Sequence, residues 1–502
     1  MLSIKEKPRT SSAIQLSLMI LVTTLTQVVA IYKSALIAES FGADTELDAY
    51  NFANNIISFV LTFASSGIMT VIIPAYVKRI ERKAIDTFIT ITFSLAAFLI
   101  ASIFIFRIPL VNLLTNRADG FTVYVSNVML SVIFIQLLPA LLCITTAYYQ
   151  SVNRFTLPKV ILLISNLIVV FLLLYKKNFS IYEYLNILLA GTMIQFILDI
   201  SFVLYYGFRW KPSFYIHNVE YKKMWLTFIP MIFSVGIYKI STLIDSLLTT
   251  NLGEGQLTIL SYSQNIVSMV SILIIGNLTA FFYPKLITSL EHGTKEGKAL
   301  LGEYAVIFHA VVCIMIAGFA SAGHEFVSLL YGRGKFTADA VDMLYICMTI
   351  YVFAQQNNVL RDIIYRYFFA SGDTRTTVKN GILVSCLNIV FSVIFSQLFG
   401  FYGIVIGSTI ASTISLLGIY VKFRIKFGNI VNQKTYYQEL AKNEIALLLS
   451  VSLVFGIKSL IHISSTVVSL FIFGIVSVIA YSIILVLLKT KIFSVILRRQ
   501  HL

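Results

Sequence analysis

Two charged residues interrupt an apolar stretch near the middle of the chain. Lys239 and Asp245 lie in the run 225–248, which is long enough to cross a membrane. A charge at the centre of such a helix costs about 2.5–3.5 kcal/mol on insertion scales, so its presence indicates a function or a partner. Lys33 has a matching place near the start of the chain, because the tripeptide IYK ends at Lys33 and again at Lys239. Two cations facing one cavity would suit an anionic ligand, and phosphate most simply.

Amide and hydroxyl side chains occur in the same parts of the sequence. Gln27 precedes Lys33 in the first apolar run, and Asn265 lies in the eighth. In the second run the polar residues follow the i, i+3, i+4, i+7 spacing of one helical face. They are Asn51, Asn54, Asn55 and Ser58.

Each of these features has a simpler alternative. Lys33 lies near a helix end and can extend its ammonium group to the membrane surface. Lys239 can pair with Asp245 or with Asp199 of the sixth run. The amide stripe of the second run can make ordinary hydrogen bonds between helices.

The composition places all of these residues in a membrane protein. Of 502 residues 58% are hydrophobic and only 12% are charged, too apolar for a soluble chain. The net charge of +15 does not indicate nucleic-acid binding, because the basic residues sit in short loops and form no continuous face.

A spanning helix needs about 20 apolar residues, and counting such runs predicts fourteen spans. They are 13–36, 50–74, 87–106, 124–148, 158–175, 184–206, 225–248, 258–283, 303–322, 341–365, 381–399, 402–421, 444–461 and 466–488. We interpret the first as a retained helix and not as a signal peptide. Lys and Arg concentrate at both termini and in the even-numbered loops, which predicts that both termini are cytoplasmic.

The chain repeats itself at a nearly constant spacing. NIIS at 55–58 is matched by NIVS at 265–268, and Pro74, which ends the second run, by Pro284, which ends the eighth. We therefore predict an all-α integral membrane protein with 14 transmembrane helices: two six-helix lobes related by a pseudo-two-fold axis, plus two C-terminal helices. The predicted divisions are 1–215, 216–430 and 431–502, the last with spans 13 and 14.

No constellation of residues indicates catalysis, so we expect a transporter and not an enzyme. The four cysteines lie in apolar segments without metal-binding spacing and are expected to be small buried side chains. His309 is isolated in its span and is expected to pack there. No Walker-type glycine loop is present, and we expect no metal site and no cofactor.

Five segments resemble motifs of the MurJ/MviN lipid II flippase family, in the right order. The segments are FGADTELDAYNFA at 41–53, YYQSVNRFTLPK at 148–159, LIDSLLTTNLGEGQLTILSYSQNI at 243–266, YGRGKFTADAV at 331–341 and YRYFFASGDTRTTVK at 365–379. Thr377 stands where the last motif usually has proline. The similarity extends from about residue 12 to about residue 420, and the fourteen predicted spans agree with it.

The resemblance implies a two-lobed fold with a cationic central cavity in a bacterial cytoplasmic membrane. It implies a polyprenyl-diphosphate-linked sugar as substrate, moved from the inner to the outer leaflet by alternating access. Spans 13 and 14 would hold the lipid tail in a groove, and a coupling cation or the membrane potential would reset the cycle. The partners expected are this substrate and the lipid bilayer, with no nucleic acid.

This sequence departs from the family at the cationic positions. No arginine lies near Val60 or Leu61, and the arginine expected in the eighth span falls on Asn265. Lys33 keeps its charge, and Lys239 can compensate for the missing arginines. The candidate substrate-binding residues are Lys33, Lys239, Gln27, Asp48, Asn51, Asn55, Asp245 and Asn265.

The main hypothesis is a flippase for a peptidoglycan precursor of the lipid II type. One alternative is a flippase for another lipid-linked surface oligosaccharide, of capsule or O-antigen type. A second is a cation-coupled multidrug exporter, which would need acids to dominate the cavity. A third is a membrane scaffold that does not transport.

Overall fold

The described secondary structure of this chain is entirely helical in a computed structural model. The structure describes residues 12–490 except 78, 79, 116, 118, 119, 153, 177, 178 and 462. Several basic residues used to predict the orientation lie outside this set: Lys5, Lys7, Arg9, Lys78, Arg79, Lys177, Lys491, Arg498 and Arg499.

Sixteen α-helices and one π-helical segment follow one another along the described residues. In the first half they are α1 Ser12–Phe41, α2 Thr45–Val77, α3 Arg82–Ile105, α4 Arg107–Leu114, α5 Phe121–Ser151, α6 Leu157–Lys176, α7 Ile181–Tyr205 and α8 Val219–Leu252. In the second half they are α9 Gln256–Val270, the π-helical segment Ser271–Gly276, α10 Asn277–His292, α11 Thr294–Tyr331, α12 Ala338–Ala370, α13 Thr374–Phe399, α14 Phe401–Phe427, α15 Gln433–Leu460 and α16 Thr466–Leu487.

Every apolar run predicted from the sequence coincides with helix. Eleven helices are long and apolar enough to cross a membrane, counted over the described residues. The run 258–283 is not one uniform α-helix, because the π-helical segment separates α9 from α10. The two prolines predicted to end spans lie inside helices instead, Pro74 in α2 and Pro284 in α10.

The chain forms two compact units, the first ending at Leu257 and the second beginning at Thr258. In the first unit α2 packs against α3, α5 and α8, α1 packs against α6, and α5 packs against α7. In the second unit α11 packs against α12, α15 and α16, and α13 packs against α14.

The helix α16 shows how these residues suit a lipid environment. Its buried residues are Ser469, Phe473, Ser477, Ala480, Tyr481 and Leu485, whereas Phe471 is 62% exposed and Leu487 is 73% exposed. Large apolar side chains thus lie on both the buried and the exposed face, and the small and polar residues Ser469, Ser477 and Ala480 lie on the buried face. This pattern fits a helix surrounded by acyl chains.

The hairpin between α13 and α14 has a tight turn. Only Gly400 separates the two helices, and its φ of +57° is a conformation that favours glycine. A side chain at Gly403 would collide with the Phe395 carbonyl, and one at Gly407 would come within 2.9 Å of the Phe391 backbone. The two helices therefore pack with their backbones in close contact.

The four cysteines do not all have the expected surroundings. Cys143, Cys313 and Cys347 are buried as predicted, but Cys386 on α13 is exposed. The prediction of burial for Cys386 is wrong because an apolar span has an outward face as well as an inward one.

Candidate functional site

Lys33 places its charge at the middle of a neighbouring helix. Its ammonium group donates a hydrogen bond to Asn166 Oδ1 at 2.9 Å. Asn166 is the tenth of the twenty residues of α6, so it lies about 15 Å from either helix end. The Asn166 amide donates to the Leu162 carbonyl at 3.0 Å, which turns its oxygen toward the lysine. This geometry argues against the alternative in which Lys33 extends to the membrane surface.

Lys239 lies on α8 in the same unit and is half-buried. Among the described residues, no carboxylate pairs with its ammonium group, so the pairing with Asp245 or Asp199 is not found. Asp245 is buried on the same helix, and Asp199 is buried on α7 beside the Thr145 hydroxyl. The cation of Lys239 is therefore not neutralised by either acid.

The amide stripe of α2 is divided between two neighbouring helices. Asn54 accepts a hydrogen bond from Gln136 of α5, whereas Asn55 donates to Ser246 Oγ of α8 at 2.8 Å. The Ser58 hydroxyl donates to the Asn55 carbonyl at 3.1 Å. Asn54 and Asn55 therefore make the ordinary hydrogen bonds between helices that were the simpler alternative. Asn51, one turn earlier on α2, is half-buried.

Gln27 makes no hydrogen bond to these groups among the described residues, and Asn265 lies in the other unit. Gln27 is half-buried on α1, six residues before Lys33, so the two side chains leave the helix about 120° apart. Asn265 belongs to the second unit, where it is exposed on α9. Within the first unit, the structure brings together α2 with α8, and Lys33 with α6, but it does not bring Gln27 to Lys33.

A buried ion pair occupies the N-terminal end of α2. The Asp48 carboxylate is fully buried, and its Oδ2 accepts a hydrogen bond from Arg117 Nη1 at 3.0 Å and from the Gly255 backbone N–H at 2.7 Å. Arg117 Nη2 also donates to Thr45 Oγ1 at 2.8 Å. Glu254 Oε1 accepts from the Thr45 hydroxyl at 2.6 Å. We call these five residues the Asp48 cluster.

The Asp48 cluster joins two of the sequence motifs into one structure. Residues 41–53 contribute Asp48, and residues 243–266 contribute Gly255. Gly255 has a φ of +73°, and a side chain on it would collide with the Ala43 carbonyl. Glycine is therefore required at Gly255 for the turn after α8 to meet the start of α2.

Sequence reasoning missed the partners of these residues. Arg117, Asn166 and Gln136 were not among the candidate residues. A polar residue in an apolar run was the available signal for Asn166 and Gln136. For Arg117 the signal was one of two arginines between the third and fourth predicted spans, which does not identify its carboxylate partner.

The motif at 365–379 forms a helix cap in the second unit. Asp373 precedes α13 and accepts a hydrogen bond from the Thr376 backbone N–H at 3.1 Å, while Lys426 lies 2.6 Å from its carboxylate. The hydrogen bonds from Lys426 and Thr376 lower the pKa of Asp373 to about 2. The usual proline position of this motif, Thr377, lies in the first turns of α13.

Solved structures define the class of fold to which this arrangement belongs. The chain superposes on a structure described as lipid II flippase MurJ in an inward closed conformation, with a TM-score of 0.75, 18% sequence identity, and coverage of 92% of this chain and 97% of that chain. It also superposes on an inward-facing multidrug resistance MATE family transporter of the MOP superfamily, with a TM-score of 0.63, 13% identity, and coverage of 83% and 98%. The fold is thus that of a class of helical membrane transporters.

Sequence comparison narrows this class to one family. The model of the lipid II flippase MurJ family matches residues 37–477. A probable lipid II flippase MurJ from Borreliella burgdorferi is 22% identical over 414 residues, which cover 80% of this chain and 81% of that protein. The chain belongs to the lipid II flippase MurJ family, and is accordingly a membrane transporter and not an enzyme.

Proposed function

We propose that this protein moves a polyprenyl-diphosphate-linked cell-wall precursor of the lipid II type from the inner to the outer leaflet of a bacterial cytoplasmic membrane. Family membership over residues 37–477 supports this proposal. The single structural observation that carries it is the Lys33 ammonium group, held halfway along α6 by Asn166. A cation at that depth suits a diphosphate that must cross the hydrocarbon layer.

In the proposed mechanism Lys33 and Lys239 attract the diphosphate. An ammonium group has three donors, and Asn166 accepts a hydrogen bond from only one of those of Lys33. The remaining donors are available for phosphate oxygens, and Lys239 adds a second point charge. Asp48, Asn51, Asn55, Asp245, Gln27 and Asn265 complete the proposed set of substrate-binding residues.

The proposal includes fourteen spans in two six-helix lobes, 1–215 and 216–430, followed by residues 431–502. The two lobes rock in alternating access, and the lipid tail follows α15 and α16. Both termini lie in the cytoplasm, and a coupling cation or the membrane potential resets the cycle. Moving one charge across 100 mV is worth about 2.3 kcal/mol, which is enough to bias such a cycle.

The test replaces each cation in cells that depend on this protein. We expect Lys33→Ala and Lys239→Ala to lower the amount of precursor exposed at the outer leaflet, measured with an external labelling reagent. Lys176→Ala is the matched control, because Lys176 is exposed and pairs with Glu183 at the protein surface. If both variants of the buried lysines flip the precursor as well as this control does, the proposed role of the cations is wrong.

The second candidate function is a flippase for a lipid-linked oligosaccharide with a different headgroup. This candidate is favoured by Asn265, an exposed asparagine at a position where the family has an arginine. Native mass spectrometry of the detergent-extracted protein distinguishes the two by the mass of the bound lipid. A lipid II mass supports the main proposal, and the mass of another lipid-linked oligosaccharide supports the second. A multidrug exporter would instead raise drug resistance in overexpressing cells.

A further inference from the structure

Three side chains with metal-binding atoms meet in the second unit, away from the residues discussed above. His309 and Cys313 lie one turn apart on α11, and Glu444 comes from α15. His309 Nε2 is 3.1 Å from Glu444 Oε1, and Cys313 Sγ is 3.6 Å from His309 Nδ1. One ligand atom from each residue lies within 4.8 Å of the other two. His309 is therefore not isolated in its span.

One further polar atom beside this cluster, Asn443 Oδ1, is buried without a hydrogen-bond partner among the described residues. The side chains of Asn443 and Tyr481 are both 0% exposed. Asn443 Nδ2 lies 3.4 Å from His309 Nδ1, and the Tyr481 hydroxyl lies within hydrogen-bond reach of the Cys313 thiol. Because buried polar atoms are nearly always satisfied, Asn443 Oδ1 indicates that a group absent from the protein chain belongs here.

We propose that His309, Cys313 and Glu444 form a binding site for one Zn²⁺ ion. Zinc takes nitrogen, sulfur and oxygen ligands at about 2.0–2.3 Å, so ligands around one tetrahedral ion lie roughly 3–4 Å apart. The 3.1 Å separation is measured to His309 Nε2 and the 3.6 Å separation to Nδ1, so for either ring nitrogen one neighbouring ligand has this spacing, and the remaining ligand atom lies within 4.8 Å. The ion takes one of the two ring nitrogens of His309, and Asn443 or water completes the coordination.

The charges of the proposed site balance, which suits its burial. Cys313 binds as a thiolate and releases its proton to solvent on binding, while Glu444 binds as a carboxylate and His309 is neutral. The two negative charges offset the two positive charges of Zn²⁺, so no net charge is buried. The thiolate ligand favours zinc over magnesium and calcium, which prefer oxygen ligands. The Glu444 side chain is 38% exposed and gives the ion a route from solvent.

The site connects the last two helices to the rest of the second unit. Its ligands bridge α11 and α15, and Tyr481 brings α16 against the Cys313 thiol. Zinc would therefore fix α15 and α16 on α11. This role is structural and does not depend on which lipid the protein carries.

The test uses the purified full-length protein, stripped with a chelator and titrated with Zn²⁺ or Co²⁺. We expect about one ion per chain, and a thiolate-to-cobalt charge-transfer band with Co²⁺. Cys313→Ser should remove this band, and Tyr481→Phe should weaken binding by about tenfold. Cys347→Ser is the matched control, because Cys347 is equally buried on α12 in the same unit and should leave the band unchanged.

A second variant, Glu444→Gln, tests the proposal even if Cys313→Ser does not fold. Glu444 is partly exposed, so we expect the protein to tolerate the loss of its charge. We expect Glu444→Gln to fold and to lower zinc affinity by tenfold or more. The proposal is overturned if the wild-type protein gives no thiolate-to-cobalt band, if the band survives Cys313→Ser, or if Glu444→Gln binds zinc as tightly as the wild type.

Discussion

At the scale of single residues, the Asp48 cluster contains the most completely buried ion pair described. The Arg117 side chain is 7% exposed and that of Asp48 is 0% exposed, so water screens neither charge. The cation also lies 4.9 Å from the centre of the Phe121 ring, which adds a cation–π contact. Such a pair contributes little compared with an apolar pair, but removing one charge deprives the other buried charge of its compensation.

We therefore predict that Asp48→Asn alone lowers the stability of the folded protein more than removal of both charges does. We expect Asp48→Asn to lower the free energy of unfolding by about 3–5 kcal/mol, because the Arg117 guanidinium loses this buried carboxylate as a partner. The double variant Asp48→Asn/Arg117→Gln should recover part of that loss. Denaturant unfolding in detergent measures all the variants, including Arg117→Gln alone. Strictly additive effects of the two substitutions would contradict the prediction.

A second prediction concerns two glycines in the turn after α8. Gly255→Ala should severely destabilise the protein, because it adds a side chain at a φ of +73° and against the Ala43 carbonyl. Gly253→Ala is the matched control, since the φ of Gly253 is 163° and its nearest neighbour is the flexible Gln256 side chain. Thermal unfolding of both variants tests this difference. Equal melting temperatures would show that the geometry at Gly255 does not matter.

At the scale of elements, the sequence predicted helix at every apolar run but not where each helix ends, and it did not predict the short helix α4. The run 303–322 lies within α11, which extends from Thr294 to Tyr331. Hydropathy measures the segment that fits the hydrocarbon layer, about 20 residues, whereas α11 has 38. The π-helical segment could not be predicted either, because its residues are ordinary apolar ones with a single serine and glycine.

The cap of α13 gives a prediction with a pH dependence. Asp373→Ala should cost about 0.5–2 kcal/mol near neutral pH, because the Thr376 N–H and Lys426 lose a partner. The pKa of Asp373 in the folded protein is about 2, below the ordinary value of about 3.9. Its contribution is therefore complete above about pH 4 and lost as the pH falls toward 2.

Thr337→Ala is the control for this pH dependence. Thr337 caps α12 by accepting a hydrogen bond from the Ala340 N–H at 3.2 Å, and its hydroxyl does not titrate. Thermal unfolding between about pH 5 and pH 2.5 should show the wild type and Asp373→Ala converging. The difference between the wild type and Thr337→Ala should stay constant. Persistence of the Asp373→Ala effect at low pH would contradict the assigned pKa.

At the scale of the whole molecule, the class of protein could be predicted from the sequence. The hydrogen-bond partners within the candidate site could not. Composition and apolar runs indicated a membrane protein, and five short motifs indicated its family. Helical spacing reports which residues share a face of one helix, so it found Asn54 and Asn55. It does not report which neighbouring helix each residue meets, and Gln136 and Ser246 were therefore missed.

The orientation in the membrane is a prediction for the whole chain. A fluorescent protein that folds only in the cytoplasm should be bright when fused after Leu502. The same protein inserted beside Arg333, in a loop predicted to face outward, should be dark. Bright fluorescence at both positions, or at Arg333 alone, would contradict the predicted topology.

The π-helical segment Ser271–Gly276 affects how the two sequence repeats can be compared. Each of its turns holds more residues than an α-helical turn, so the residues beyond Gly276 are rotated about the helix axis. The matching stretch of α2 has no such segment. Residues that match by the offset of 210 therefore point in corresponding directions as far as Asn55 and Asn265. Beyond Gly276, residues matched by the same offset point toward different neighbours.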